Sequence, residues 1–202
     1  MQFTSDWFST NIPAWTGFFA GWDRQRPHVA VEIGSYEGRS SVWLLENVLQ
    51  HPESRLHCID VFAGMDEPDS YGQRFMSNVA PFGERVTVHR GFSFDHLIRL
   101  LVDGVRADFV YVDGSHRAAD VLEDLILGFR LLNPGGLMIC DDYLGGAGSN
   151  ADLTLGSPKM GVDAFTTLYR DRLEIVGGQP LYQLAMRKST DRTDDDPASR
   201  GR

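Results

Sequence analysis

The sequence predicts an α/β protein: a mostly parallel seven-stranded sheet, helices on both faces, and an antiparallel hairpin at the C-terminal end. Three observations predict it. From residue 28 onward, short β-branched runs alternate with segments of helical period, the signature of strands joined by crossover helices. The strand-like runs are largely apolar, as strands covered on both faces are. Several of them also stop abruptly on an acid, at the end of an open sheet where ligands bind.

Residues 1–27 come first and carry Trp7, Trp15 and Trp22. Trp15, Phe18, Phe19 and Trp22 form a helical stripe, so this segment is expected to be an aromatic helical cap. Its stripe is expected to pack into the core, with a pocket wall or a dimer contact as the alternatives. "HVAVEI" is the first strand. "SSVWLLENVLQ" follows, with Val42, Leu45, Val48 and Leu49 on one helical face and Pro52 just past its end. "RLHCIDVF" and "RVTVHR" read as the second and third strands, and "SFDHLIRLLVD" as the next helix. "ADFVYVD" is the fourth strand. "RAADVLEDLILGFRLL" then sets Val121, Leu122, Leu125, Ile126, Phe129 and Leu132 at helical spacing. "NPGG" is expected to break the chain before a fifth strand, "LMICD". A short helix, "VDAFTTLYRD", and the strands "LEIVG" and "LYQLAMR" complete a domain over 28–188. Residues 189–202 are polar and are expected to be a disordered tail.

Length and charge narrow the functional classes. The 202 residues, 42% hydrophobic and 23% charged, suit one soluble domain. A formal net charge of −9 with no basic stripe argues against nucleic acid as a partner. No apolar run approaches the roughly 20 residues that span a bilayer, and the N-terminus lacks a signal-peptide pattern. Cys58 and Cys140, the two cysteines, each lie inside a strand-like run. They read as reduced buried thiols of a cytoplasmic protein, not as a disulfide or a metal site.

The acids at the strand ends are Glu32, Asp60, Asp113, Asp141 and Asp142, and together they line one crevice. In "VEIGSYEGRSS", Gly34 and Gly38 let the backbone turn tightly and approach a ligand, and the next helix offers its positive end. The spacing is G-x-x-x-G, so the dinucleotide fingerprint G-x-G-x-x-G is absent. Asp60 is placed to accept ribose hydroxyls. Ser93 and Phe94 can hydrogen-bond and stack on a base, or Ser93 can cap its helix. Asp113, Asp141 and Asp142 offer three oxygens from two strands, a set suited to a hard cation such as magnesium. Otherwise Asp113 binds the cofactor or caps a helix, and Asp141 fixes a loop. His116 follows Asp113 by three residues. It is a candidate general base because histidine changes charge near neutrality, a further metal ligand, or a solvent-facing residue in a helical turn capped by Ser115. His28, His51, His57, His89 and His96 read as structural or surface residues.

The order "VEIGSYEGRSS", "CIDVF", "RGFSFD", "VYVDGSH", "LNPGGLMICDDY" resembles class I S-adenosylmethionine-dependent methyltransferases, with their Rossmann-like fold, over residues 28–188. It is similar to catechol O-methyltransferase and, more closely, to small bacterial proteins grouped as methyltransferase domain family 24. The resemblance implies that Glu32 and Gly34 lie under the methionine part of S-adenosylmethionine, with Tyr36 and Ser40 beside it. It places Asp60 on the ribose, and Ser93 and Phe94 on the adenine. Asp113 and Asp141 match magnesium-binding acids, with Asp142 in place of an asparagine. His116 stands where the catechol enzyme has its general-base lysine. No acid near the C-terminus matches the one that contacts a catechol's second hydroxyl, so catechol itself is not implied. The activity implied is metal-assisted O-methylation of a small-molecule hydroxyl. Rival readings are a non-catalytic S-adenosylmethionine-binding protein and a nicotinamide-dependent oxidoreductase. Residues 143–161, glycine-rich and without period, are expected to form a lid over the acceptor. A homo-oligomer is compatible with the sequence.

Overall fold

The strand order of the sheet is β3-β2-β1-β4-β5-β7-β6, and it is seen in a computed structural model that describes residues 1–63, 67, 68, 70–144, 157–178, 180 and 182–190. The strands are β1 (Val29–Ile33), β2 (Arg55–Asp60), β3 (Val86–Arg90), β4 (Ala107–Val112), β5 (Leu132–Cys140), β6 (Leu173–Ile175) and β7 (Leu184–Lys188). The first five run parallel, and β7 lies antiparallel to both β5 and β6. The helices are α1 (Ile12–Phe18), α2 (Arg39–Asn47), α3 (Tyr71–Val79), α4 (Ser93–Val102), α5 (Ala118–Leu131) and α6 (Pro158–Tyr169). The order reverses between β1 and β4, which opens a crevice at their carboxyl ends.

Strand alternation divides the core. Ala30, Phe109, Tyr111, Leu137, Ile139 and Ala185 face one side, where α1, α2 and α3 pack. Their neighbours Val31, Val110, Val112, Met138, Cys140 and Met186 face α4, α5 and α6. Both faces are therefore covered, which is why these strands read as continuous apolar runs. Trp15 and Phe19 are fully buried, and the indole of Trp15 meets Phe8, Phe109 and Tyr111 edge-on at 4.8, 5.6 and 4.9 Å. The aromatic stripe thus belongs to the core.

Three local features differ from the sequence expectation. Helix α3 was not anticipated, because its buried positions are Gly72, Phe75, Asn78 and Val79, too few of them apolar to give a helical stripe. Ser70 caps it by accepting from Gln73 N at 3.2 Å. "NPGG" does not end a segment; it bulges β5 between the pairs Ala107–Leu132 and Phe109–Leu137. Helix α6 starts at Pro158, ahead of "VDAFTTLYRD", with proline in the first turn where its missing N–H costs nothing. Of the expected lid, residues 145–156 lie outside the described residues, as do residues 191–202 of the expected tail. No helix among the described residues is long and apolar enough to cross a membrane.

Candidate active site

The loop after β1 is built around a contact with β4. Gly34 has φ +82°, and a Cβ there would stand 1.9 Å from the carbonyl oxygen of Asp113, so only glycine fits. Gly38, also at φ +82°, would bring a Cβ to 2.9 Å from the ring of Phe75. Tyr36 adopts φ +46°, an uncommon region for a bulky residue. Asp60 compensates by accepting from the backbone N–H of Ser35 (2.9 Å) and Tyr36 (3.0 Å) on one oxygen. Its other oxygen accepts from Phe62 N (2.8 Å) and the Tyr71 hydroxyl (3.3 Å). Asp60 therefore holds the loop as well as facing the crevice. Glu32 lies beneath the same loop, fully buried, and accepts from Ser40 Oγ at 2.5 Å and from Ser41 Oγ. Burial pushes its carboxyl above the ordinary range while these hydroxyls pull it back.

Two cavities open on this loop. One, of about 630 Å³, is bounded by Asp60, Tyr71, Ser93, Phe94, Ser115 and Asp124. Ser93 is the first residue of α4, after an N-cap at Phe92, so it is free of the capping role and lines the cavity. The other, of about 480 Å³, has Phe3, Trp7 and Phe8 on one side and Asp113, His116, Asp141 and Asp142 on the other. Gly34, Tyr36 and Asp113 border both. The N-terminal strap that supplies Phe3 and Trp7 is tied down by Glu37, which accepts from Thr4 N and Thr4 Oγ1, both at 2.6 Å. Asn78 adds two bonds to the backbone of Gln2, each 2.8 Å.

The acids at the ends of β4 and β5 do not all play one part. Asp113, His116 and Asp142 can each offer a ligand atom within 4.8 Å of the other two, the one such His/Cys/Asp/Glu group among the described residues. His116 Nε2 lies 2.8 Å from Asp142 Oδ2. His116 belongs to the loop before α5, whose N-cap is Arg117, and not to a helical turn capped by Ser115. Asp142 has φ +55°, a conformation aspartate tolerates better than most residues. Asp141 lies beside that trio and takes three hydrogen bonds: from Asp142 N (2.8 Å), Gln183 Nε2 (2.7 Å) and the Tyr111 hydroxyl. Burial, then the charges of Asp141 and Asp142, hold the Asp113 carboxyl well above the usual carboxylate range. Burial raises Asp142 as well, with His116 opposing it. Such crowded acids are what a bound cation relieves, and one nitrogen with several oxygens is a workable donor set for a divalent ion.

The match to a family of methyltransferase domains covers residues 31–143, from β1 to the end of this acid cluster. The chain belongs to that methyltransferase domain family. Its fold is that of class I S-adenosylmethionine-dependent methyltransferases, similar to catechol O-methyltransferase. Among curated proteins it is 28% identical, over 120 residues, to the uncharacterised protein R132 of Acanthamoeba polyphaga mimivirus. That stretch is 56% of this chain and spans about half (50%) of the viral protein's length. An O-methyltransferase from Bacillus cereus in complex with S-adenosylhomocysteine superposes with a TM-score of 0.70 at 19% identity, over 92% of this chain and 83% of that one. TomG of Streptomyces achromogenes, an O-methyltransferase involved in tomaymycin synthesis and solved with S-adenosylmethionine, gives 0.62 at 25% identity, over 82% and 74%. MycE of mycinamycin biosynthesis, solved with magnesium, S-adenosylhomocysteine and mycinamycin VI, gives 0.62 at 18%, over 96% of this chain and 53% of that one.

Sequence reasoning named Gly34, Tyr36, Asp60, Ser93, Phe94, Asp113, His116, Asp141 and Asp142, and all of these border one cavity or the other. Ser40 lines the second cavity, while Glu32 and Gly38 line neither and support the loop from behind. It did not name Tyr111, Gln183, Glu37 or Asp124. Tyr111, Gln183 and Asp124 lie in strand-like or helical runs, where nothing in the local pattern distinguishes a polar residue that faces a site, and Glu37 lies in the loop after β1, where its tie to the distant Thr4 leaves no local signal.

Proposed function

We propose that the chain is an S-adenosylmethionine-dependent O-methyltransferase that acts, with help from a divalent cation, on a hydroxyl of a small molecule. The observation that carries this reading is the meeting of two cavities at Gly34, Tyr36 and Asp113, with His116, Asp141 and Asp142 lining the second cavity only. A cofactor in the first and an acceptor in the second would share that border, and alignment of two bound reactants is the main demand of methyl transfer. The cofactors of TomG and the B. cereus enzyme, and the magnesium of MycE, support the same assignment.

S-adenosylmethionine supplies a methyl group on a sulfonium that is already a good leaving group. Gly34 and Tyr36 would hold its methionine part where the cavities meet, with Ser40 beside it on the second-cavity side and Glu32 and Gly38 shaping the loop. Asp60 would face the ribose and Ser93 with Phe94 the adenine. A magnesium-like ion would be held by Asp113 and Asp142 with Asp141 adjacent, and would lower the pKa of an acceptor hydroxyl. His116 is the proton acceptor of this scheme. A carboxylate at Asp142 only accepts, so the hydrogen of a neutral His116 lies on Nε2 and Nδ1 keeps a free lone pair. Asp142 then stabilises the imidazolium once the proton has moved. Phe3, Trp7 and Phe8 favour an acceptor with a flat apolar body.

The test is transfer of labelled methyl from S-adenosylmethionine to a panel of small hydroxylated aromatics, with magnesium and with EDTA. Transfer with magnesium that stops in EDTA supports the reading. Cofactor binding with no transfer to any acceptor favours the non-catalytic alternative, and full transfer by a verified metal-free protein removes the metal from the scheme.

A further inference from the structure

Gln183 immediately precedes β7 and lies 168 residues beyond Trp15, yet the indole Nε1 of Trp15 donates to Gln183 Oε1 at 2.8 Å. Gln183 is 2% exposed. An indole N–H can only donate, so the amide oxygen must face Trp15 and the amide nitrogen must face the other way. That nitrogen donates to Asp141 Oδ2 at 2.7 Å and reaches the Tyr111 hydroxyl oxygen at 3.4 Å. Tyr111 has one hydroxyl hydrogen and two carboxylates beside it: Asp141, the nearer, and Asp113 Oδ2 at 3.1 Å. With an amide hydrogen directed at the phenol oxygen, the phenol hydrogen is turned toward those carboxylates. Asp141 then carries two donors on Oδ2 and one, from Asp142 N, on Oδ1. A carboxylate offers about four lone-pair positions, so the one left free belongs to Oδ1.

We propose that Gln183 is a positioning residue for the acid cluster, that Trp15 of the N-terminal helix fixes its orientation, and that cation binding is felt at Trp15 through this chain. The inference rests on the metal-assisted reading above. It links the N-terminal segment, which precedes the family-matched residues 31–143, to the chemistry at the ends of β4 and β5. Outer partners of this kind orient ligands and tune their affinity by roughly 10- to 100-fold in known metal sites.

The experiment uses the full chain and manganese(II), with free ion measured by its paramagnetic resonance and S-adenosylhomocysteine affinity as the internal control. Gln183→Leu is expected to weaken manganese binding about tenfold or more and to leave S-adenosylhomocysteine affinity essentially unchanged. Trp15→Phe, which keeps a ring but loses the donor, is expected to weaken manganese binding less and in the same direction. In the unaltered protein, magnesium is expected to shift the indole N–H resonance of Trp15; this readout stands even where Gln183→Leu folds poorly. Wild-type manganese affinity in both variants, with an unmoved Trp15 resonance, overturns the positioning role and leaves the metal-assisted reading intact. A wild-type protein that binds S-adenosylhomocysteine but no divalent ion overturns both.

Discussion

At the scale of single residues, Gly34 carries two separate demands, a positive φ and the absence of a side chain against the Asp113 carbonyl. Gly104 carries only the first, since it has φ +74° and nothing within 4 Å of a built Cβ. Gly104→Ala should therefore cost about 1–2 kcal/mol, the penalty for a left-handed residue. Gly34→Ala should cost more and also abolish cofactor binding, because β1 and β4 must part to admit the methyl. Thermal unfolding and calorimetry with S-adenosylhomocysteine compare the two; equal losses would remove the close approach from the account. Asp124 gives a pH test. It is 2% exposed, and burial lifts its carboxyl from 3.8 to about 7, with Ser93 opposing the shift. Between those values the folded state binds more protons than the unfolded one, so stability falls as pH rises from about 4 to about 7 and stays lower above. Asp124→Asn should remove the part of that slope that Asp124 contributes and stabilise the apo protein at pH 8 by up to about 4 kcal/mol, with the gain vanishing near pH 4. Urea unfolding at both pH values checks it, and the same gain at each would contradict the assignment.

At the scale of elements, the N-terminal strap is held at Glu37 and Asn78, and its aromatic side chains wall the second cavity alone. Removing residues 1–7, which leaves Phe8 in the core, should raise the acceptor KM while leaving the S-adenosylhomocysteine Kd within about twofold, less than the 1.4 kcal/mol of a tenfold change. Steady-state kinetics beside calorimetry separates the two effects, and parallel losses in both would show that the strap serves the whole fold. Elements were legible in the sequence where apolar period was strong: the buried face of Val42, Leu45, Val48 and Leu49 is an example. Helix α3 was illegible because a glycine and an asparagine occupy half of its buried positions. At the β5 bulge, proline and glycine signal a turn locally, while pairing with β4 decides the outcome.

At the scale of the molecule, the alternating pattern carried the sheet order's main consequence, acids gathered at one edge of a reversing sheet. What it could not carry was the division of labour among those acids. That division depends on Tyr111, buried in β4, and on Gln183, brought to the site by the antiparallel return of β7. Such partners come from distant parts of the chain and leave no local spacing to read. The central claim is that cofactor and cation occupy adjoining cavities bordered by Gly34, Tyr36 and Asp113. A crystal structure of the full chain grown with S-adenosylhomocysteine and manganese, with the ion located by its anomalous signal, tests it most directly. The account predicts S-adenosylhomocysteine in the cavity of about 630 Å³, ribose toward Asp60, and the ion against Asp113 and Asp142 in its neighbour. An ion bound elsewhere, or S-adenosylhomocysteine lying among Phe3, Trp7 and His116, would contradict it.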